Sequence, residues 1–393
     1  MPKTELNRRE FLAATGIGAA GVAAAGGFFP VARAQAKSAM GPAGGKRVVI
    51  IGGGFGGNFT AVALRKLVPD AEVVVIEKHP FFISGPASME YVFGLASLDT
   101  ITRGYRSLMA QGVKVLKADA VAVEPDKHRV HTSAGMLDYN YLVVTSGIRL
   151  AYEEIAGLAE HMGANAHPYD KSSIVDIRQR IEAFQGGNIV LGVPAVPYKC
   201  PPGPYECALL FAEHIKKNKL KAKVIVLDAG GAPQIPPLAK GFLDAMTFTM
   251  ADQIDYLPNQ KVVGVDVGAK TVLTDKKQTF KYDLLSIIPP NKAAGFIKEG
   301  GLGDPFVAVS PVDFQSTKFQ NVYAVGDAAA TPYTKSAYVA SVAGKVCAHA
   351  IAKAMGAPSP AAPAMHNICY PYIAGDKAML VRNMVDIGHA FHV

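Results

Sequence analysis

The sequence predicts an α/β protein with two Rossmann-like, dinucleotide-binding units, one inserted into the other, and a short C-terminal segment. Three observations predict it. A buried-strand run, Val48 to Ile51, leads directly into Gly52-Gly53-Gly54-Phe55-Gly56-Gly57 and then into apolar residues at helical spacing. Strand and helix patterns alternate again between residues 151 and 285, and a late strand-plus-glycine turn, "NVYAVGDAAA", closes the pattern. The composition agrees: 393 residues, 50% hydrophobic and 18% charged, with 39 Gly and 26 Pro, suit compact, loop-rich cores rather than a disordered or coiled chain.

Residues 1–34 read as an address. Arg8-Arg9, then Phe11-Leu12, an Ala/Gly-rich apolar stretch and Ala32-Arg33-Ala34 resemble a twin-arginine export signal cleaved near Ala34. The expectation is a folded protein delivered to the periplasm, with residues 35–45 as a small-residue linker. No later stretch reaches membrane-spanning length, so no permanent membrane span is expected. The formal net charge of +8 comes from scattered bases without a recognition motif, which argues against nucleic acid.

The fold proper begins at residue 46. Strand, glycine turn, helix and the second strand "AEVVVIEKH" ending in Glu77 make the opening unit of a dinucleotide site. Gly52 permits the tight turn, Gly54 lets backbone approach a pyrophosphate, and Gly57 lets the helix pack on the strand. The helix N-terminus faces the phosphates, and Glu77 is placed for a ribose. A meander follows and returns to the sheet at "YLVVTSG". The first domain therefore spans 46–150 and 286–356, with 151–285 inserted.

The inserted unit carries "SSIVDIRQRIEAF", "NIVLG", "YECALLFAEHIKKNK" and "AKVIVLDAG" as an αβαβ series. Its first strand leads not to a glycine loop but to "GVPAVPYKCPPGPYEC". Proline removes backbone donors and fixes φ, which makes a poor phosphate cradle. The second candidate turn, "VIVLDAGGAPQ", also lacks the fingerprint. The inserted unit is thus expected to be NAD-like in fold without a nucleotide loop, so electrons enter by another route than NAD(P)H.

After the insertion, Gly326 and Asp327 in "AVGDAAA" suit the second half of an FAD site, with Asp327 toward the ribityl chain or a phosphate. The following helix, "KSAYVASVAGKVCAHAIAKAM", points its N-terminus toward the isoalloxazine. Lys335 opens that helix and reads either as a neighbour of the ring's C2 carbonyl or as a solvated side chain. Residues 357–393 form the short C-terminal segment. No paired C-x-x-C spacing exists, so no metal is expected.

Together the twin-arginine leader, the G-x-G-x-x-G with Glu77, "CPPGPYE", "AVGDA", "KSAYVAS" and "NICYPYI" resemble the flavoprotein subunit of flavocytochrome c sulfide dehydrogenase. That family is a branch of the disulfide-oxidoreductase flavoproteins that includes sulfide:quinone reductases, and the resemblance runs over nearly all of 46–373. It implies a redox-active disulfide beside the flavin, falling on Cys200 and Cys369, with Glu206 handling protons. It also implies electron transfer from sulfide to a c-type cytochrome, as a bound subunit or a soluble protein. Beyond the glycines and Glu77, cofactor contacts are expected at Phe55, Lys78, Val121, Ser146 and Gly147 in the first half, and at Ser336 in the second.

Two departures stand out. Ser84 occupies the place where some members tether FAD through cysteine, which implies non-covalent FAD. The stretch after Cys369 is shorter than the family's and the chain has no Trp, which implies a more open sulfur site or a smaller partner surface. Three alternatives remain at this level. Cys207 is a second candidate partner for Cys200, a quinone is a second candidate acceptor, and a non-catalytic electron-relay subunit is a second candidate role. Cys347, inside the Ala-rich helix, reads as a buried core thiol. Tyr370 and Tyr372 read as flavin cover or simple packing, and His366, His389 and His392 as surface residues.

Overall fold

The computed structural model describes residue 40 and residues 44–234 and 239–384. The export signal, its cleavage at Ala34, most of the linker, His389 and His392 lie outside the described residues.

The first unit begins with β1 (Arg47–Ile51), followed by α1 (Phe55–Leu67) and β2 (Glu72–Glu77). Next come β3 (Lys114–Lys117), the antiparallel meander β4 (Ala120–Glu124), β5 (Arg129–Thr132) and β6 (Gly135–Asp138), and then β7 (Tyr141–Val144). Val48, Val49 and Ile50 have no exposed surface, and neither do Val74 and Val75 or Leu142 to Val144. These unbroken β-branched and leucine runs, covered on both faces, are what a parallel sheet requires. In α1 the buried positions Gly56, Gly57, Thr60, Ala61 and Leu64 recur at helical spacing and form one stripe. The helix ends before Pro69, with Arg65 and Lys66 in its last turn, where the dipole favours cations.

The inserted unit contains α2 (Ile174–Ala183), β8 (Gly187–Val193), α3 (Gly203–Lys217), β9 (Ala222–Asp228) and β10 (Ile254–Leu257). A second meander, β11 (Val262–Asp266), β12 (Thr271–Thr274) and β13 (Thr279–Lys281), precedes β14 (Leu284–Ile287). The chain then returns to the first unit with β15 (Val322–Ala324) and α4 (Ala337–Ala354). The C-terminal segment supplies β16 (His366–Cys369), β17 (Tyr372–Ala374) and β18 (Val381–Met384).

The first unit's sheet has the order β15-β7-β1-β2-β3 and the inserted unit's sheet β10-β9-β8-β14, with every pairing in both parallel. Because β14 pairs with β8, the inserted unit runs through Ile287, past the boundary expected at 285. The reason is local: "LLSI" is fully buried and continues the second sheet before Pro289-Pro290 breaks it. Among the described residues, no helix is long and apolar enough to cross a membrane.

Helices α1 and α4 pack backbone to backbone. A Cβ on Gly344 would lie 2.7 Å from Gly56 O and 2.8 Å from Thr60 Oγ1. That approach brings the N-terminal ends of both helices to the carboxyl edge of the first sheet, where an open α/β sheet takes its ligand.

Candidate active site

The turn between β1 and α1 answers a specific demand at each fingerprint glycine. Gly52 has φ +103°, and a Cβ there would sit 2.5 Å from Thr145 O. A Cβ on Gly57 would overlap Gly52 O. Around Gly54 nothing lies within 4 Å of the missing Cβ, so the turn is open on the ligand side. Gly54 also precedes α1 without a side-chain cap, which leaves the first N–H groups available to an anion. Glu77 is fixed by backbone: its Oε2 accepts from Gly53 N (2.7 Å) and its Oε1 from His79 N (2.8 Å). On its outer side lies a cavity of about 570 Å³, lined in part by Tyr105, Arg106 and Lys117.

Two buried polar atoms beside this turn, Ser146 Oγ and Asn58 Oδ1, have no partner among the described residues. Such orphans are costly unless a ligand or water satisfies them. With the open cradle at Gly54, they fit a dinucleotide such as FAD. Gly147 follows with φ +70° and open space. Phe55 packs edge-on against Phe82, with centroids 5.0 Å apart. Lys78 lies at the surface, 4.0 Å from Asp119. Val121 is exposed where the β4–β5 register shifts between Ala120 and Ala122, so its backbone falls outside the ladder.

The second half of the crevice is built on Gly326 (φ +71°) and the single turn Gly326–Ala328. Lys335 corrects the solvated reading. It is buried, its Nζ donates to Asp327 O and Ala329 O (both 2.8 Å), and it sits 3.9 Å over the Phe306 ring. Burial lowers its pKa to about 8, against the pull of Asp327. Ser336 caps α4 by accepting from Val339 N (3.1 Å) and donates to Asn367 Oδ1 (2.8 Å), which ties β16 to the start of α4.

Between β8 and α3 the proline-rich loop holds Cys200 in a left-handed conformation, φ +50°. A non-glycine residue there stores strain and needs support from its surroundings. The support is visible: Cys200 N donates to Lys335 O (2.7 Å), while Cys200 O accepts from Tyr169 Oη (2.6 Å) and Gly203 N (2.9 Å). Cys200 is thereby fastened directly to the cofactor half at Lys335. One residue earlier, Lys199 N donates to Asn291 Oδ1 (2.9 Å) and Lys199 Nζ to Tyr169 O (3.1 Å).

Cys200, Cys369 and Glu206 form one electrostatic cluster. Burial, then Glu206 and Cys369, push the Cys200 thiol up to about 12, with Lys199 opposing. Burial and Glu206 also raise Cys369, which β16 presents half-buried. Glu206, on the first turn of α3 and 6% exposed, accepts from Tyr372 N (3.0 Å). Burial, with Glu90 adding to it, lifts its carboxyl to about 8. All four cysteines are unbridged here. Cys207 is fully buried beside Ser286 of β14, whereas Cys369 is the cysteine whose charge bears on the Cys200 thiol. Cys347 is a fully buried core thiol and Tyr370 is 65% exposed, while Tyr372 packs against α3 and reaches Glu90 (3.4 Å).

Sequence reasoning did not find Tyr169, Asn291 or Lys171. Lys171 stacks 5.1 Å from the Phe82 ring, and burial with nearby Lys199 lowers it to about 8, opposed by Asp327 and Glu77 from the two halves of the crevice. Its placement between two acids of the cofactor site carries no local sequence signature. Lys199 was legible only as the neighbour of Cys200.

Comparison with known proteins follows the same division. Residues 46–188 match the pyridine nucleotide-disulphide oxidoreductase family, and residues 174–289 match the central part of sulfide dehydrogenase [flavocytochrome c] flavoprotein chains. The mitochondrial sulfide:quinone oxidoreductase of Dictyostelium discoideum is 27% identical over 304 residues, 74% of this chain and 67% of that one. The sulfide-quinone reductase of Aquifex aeolicus is 26% identical over 311 residues, covering 73% and 69%. The X-ray structure of the Aquifex aeolicus sulfide:quinone oxidoreductase superposes with a TM-score of 0.73 at 20% identity, over 86% of this chain and 87% of that one. It shares the fold.

Proposed function

Because this chain is a member of the sulfide-oxidising flavoprotein family, we propose that it binds FAD and oxidises hydrosulfide through a disulfide between Cys200 and Cys369. The observation that carries the reading is the cluster of Cys200, Cys369 and Glu206, fastened to the cofactor half by the Cys200 N to Lys335 O hydrogen bond. FAD would be held by the Gly52–Gly57 turn and the Gly326–Ser336 segment and would supply a two-electron acceptor.

The chain's own residues carry the sulfur chemistry. Hydrosulfide attacks one sulfur of the disulfide, the S–S bond breaks, and a persulfide forms on one cysteine with a thiolate on the other. A thiolate at Cys200 is disfavoured by burial. Glu206, protonated at neutral pH, is the group placed to give that thiolate a proton and to take one back. The prolines around Gly203 and the Tyr169 hydrogen bond limit how far Cys200 can move between those states.

Attachment of FAD is proposed to be non-covalent, since Ser84 has no thiol to form a thioether. The protein is proposed to work in the periplasm and to hand electrons singly to a c-type cytochrome. A quinone is the second reading for the acceptor, supported by the names of the relatives. Non-reducing peptide mapping tests the sulfur site: a Cys200–Cys369 linked peptide that gives way to a persulfide on treatment with sulfide supports it. A Cys200–Cys207 link, or no link, overturns it. Mixing the sulfide-reduced protein with cytochrome c and with a quinone analogue separates the two acceptors.

A further inference from the structure

Asp228 closes β9, the position at which a dinucleotide fold keeps the carboxylate that takes a ribose. Here it is completely buried, and the chain itself occupies its oxygens. Oδ2 accepts from Tyr205 Oη and from Tyr256 Oη, both at 2.7 Å. Oδ1 accepts from Gly230 N (2.8 Å) and Gln234 Nε2 (3.0 Å). Gln234 then reaches the loop after β8: its Nε2 also donates to Pro194 O (3.2 Å) and its Oε1 accepts from Val196 N (3.1 Å). Its backbone N donates to Tyr205 Oη (3.0 Å).

Tyr205 links this hub to the sulfur site. It is fully buried on the first turn of α3, between Pro204 and Glu206. Its hydroxyl donates to Asp228 and accepts from Gln234 N, so both of those groups lose a buried partner if the hydroxyl goes. Tyr256 touches the same carboxyl oxygen from β10, which flanks β9 on the side away from β8 and the loop.

We propose that Asp228 is a positioning residue of the sulfur site: its carboxyl, in place of a ribose, anchors Tyr205 and so fixes the turn that carries Glu206 and follows Cys200. This rests on the reading of Cys200 and Glu206 as that site. It also gives the lost nucleotide loop a structural counterpart, because the groups a nicotinamide dinucleotide would use in this unit are spent on holding the cysteine loop.

Tyr205→Phe and Tyr256→Phe each remove one hydroxyl from Asp228, the first also removing the acceptor of Gln234 N; Asp228→Asn is the third variant. In full-length, flavin-loaded, anaerobically reduced protein, alkylation of Cys200 by iodoacetamide is followed against pH by mass spectrometry. The pH profile of sulfide-driven flavin reduction is measured alongside. Tyr205→Phe is expected to change the Cys200 alkylation rate by at least about fivefold, the equivalent of one of the two hydrogen bonds it loses, and to displace the pH profile. Tyr256→Phe is expected to stay within about twofold of wild type, since its contact does not lead to the loop. Equal effects in the two phenylalanine variants, or none in Tyr205→Phe, overturn the proposal even if Asp228→Asn does not fold. A wild-type protein that sulfide fails to reduce refutes the functional reading instead, because the alkylation comparison needs no sulfide.

Discussion

Replacing Glu206 with Gln gives the most quantitative test of the site's electrostatics. Burial lifts the Glu206 carboxyl from its ordinary 4.5 to about 8. Between those values the folded protein holds a proton that the unfolded chain has released. Stability contributed by this residue therefore falls as pH rises, by ~1.4 kcal/mol per pH unit well inside the window and less near its upper end. From pH 6 to pH 8 the loss comes to roughly 2 kcal/mol. Glutamine keeps an oxygen to accept from Tyr372 N but cannot titrate, so the variant lacks this loss. Urea unfolding of both proteins at pH 6, 7 and 8 isolates the effect, since all other groups titrate in common. Wild type should lose roughly 2 kcal/mol more than Glu206→Gln across that range. Parallel stability curves would show that Glu206 is an ordinary ionised carboxylate and would remove its proposed role as proton donor.

Three further outcomes follow from the geometry. Cys369→Ser should abolish sulfide-driven flavin reduction, whereas Cys207→Ser should stay within about tenfold of wild type, as for a core thiol outside the chemistry; stopped-flow absorbance distinguishes them. Acid precipitation should release all flavin to the supernatant, and flavin in the pellet would contradict the assignment of Ser84. Gly54→Val should fold, because nothing lies within 4 Å of its Cβ, yet lose most bound flavin, while Gly57→Val should fail to fold because its Cβ overlaps Gly52 O; flavin absorbance and circular dichroism read the two together.

The glycine turn was legible because its spacing against β1, α1 and β2 is a local pattern, although the clash that Gly52 avoids is with Thr145 O, 93 residues away. The expected boundary at 285 missed by a few residues because "LLSI" is apolar in the manner of either sheet, and only its pairing with β8 assigns it. Lys335 shows a different limit. Sequence placed it at the start of α4, but two carbonyls across a turn and the Phe306 ring decided that it is buried. Support for Cys200 came from Tyr169, 31 residues away, and for Lys199 from Asn291, 92 residues away. Contacts of that span leave no periodic or local trace. The prolines of "GVPAVPYKCPPGPYEC" were read as a poor phosphate cradle, and the hydrogen bonds from Tyr169 and to Lys335 add a restraint on Cys200 that the sequence does not announce.

Anaerobic titration of the flavin-loaded protein with sulfide, monitored by flavin absorbance, tests the central claim most directly. The account predicts full bleaching of the wild-type flavin near one equivalent of sulfide, and no bleaching in Cys200→Ser with flavin content unchanged. Wild type left oxidised by excess sulfide, or Cys200→Ser bleached at the wild-type rate, would contradict it.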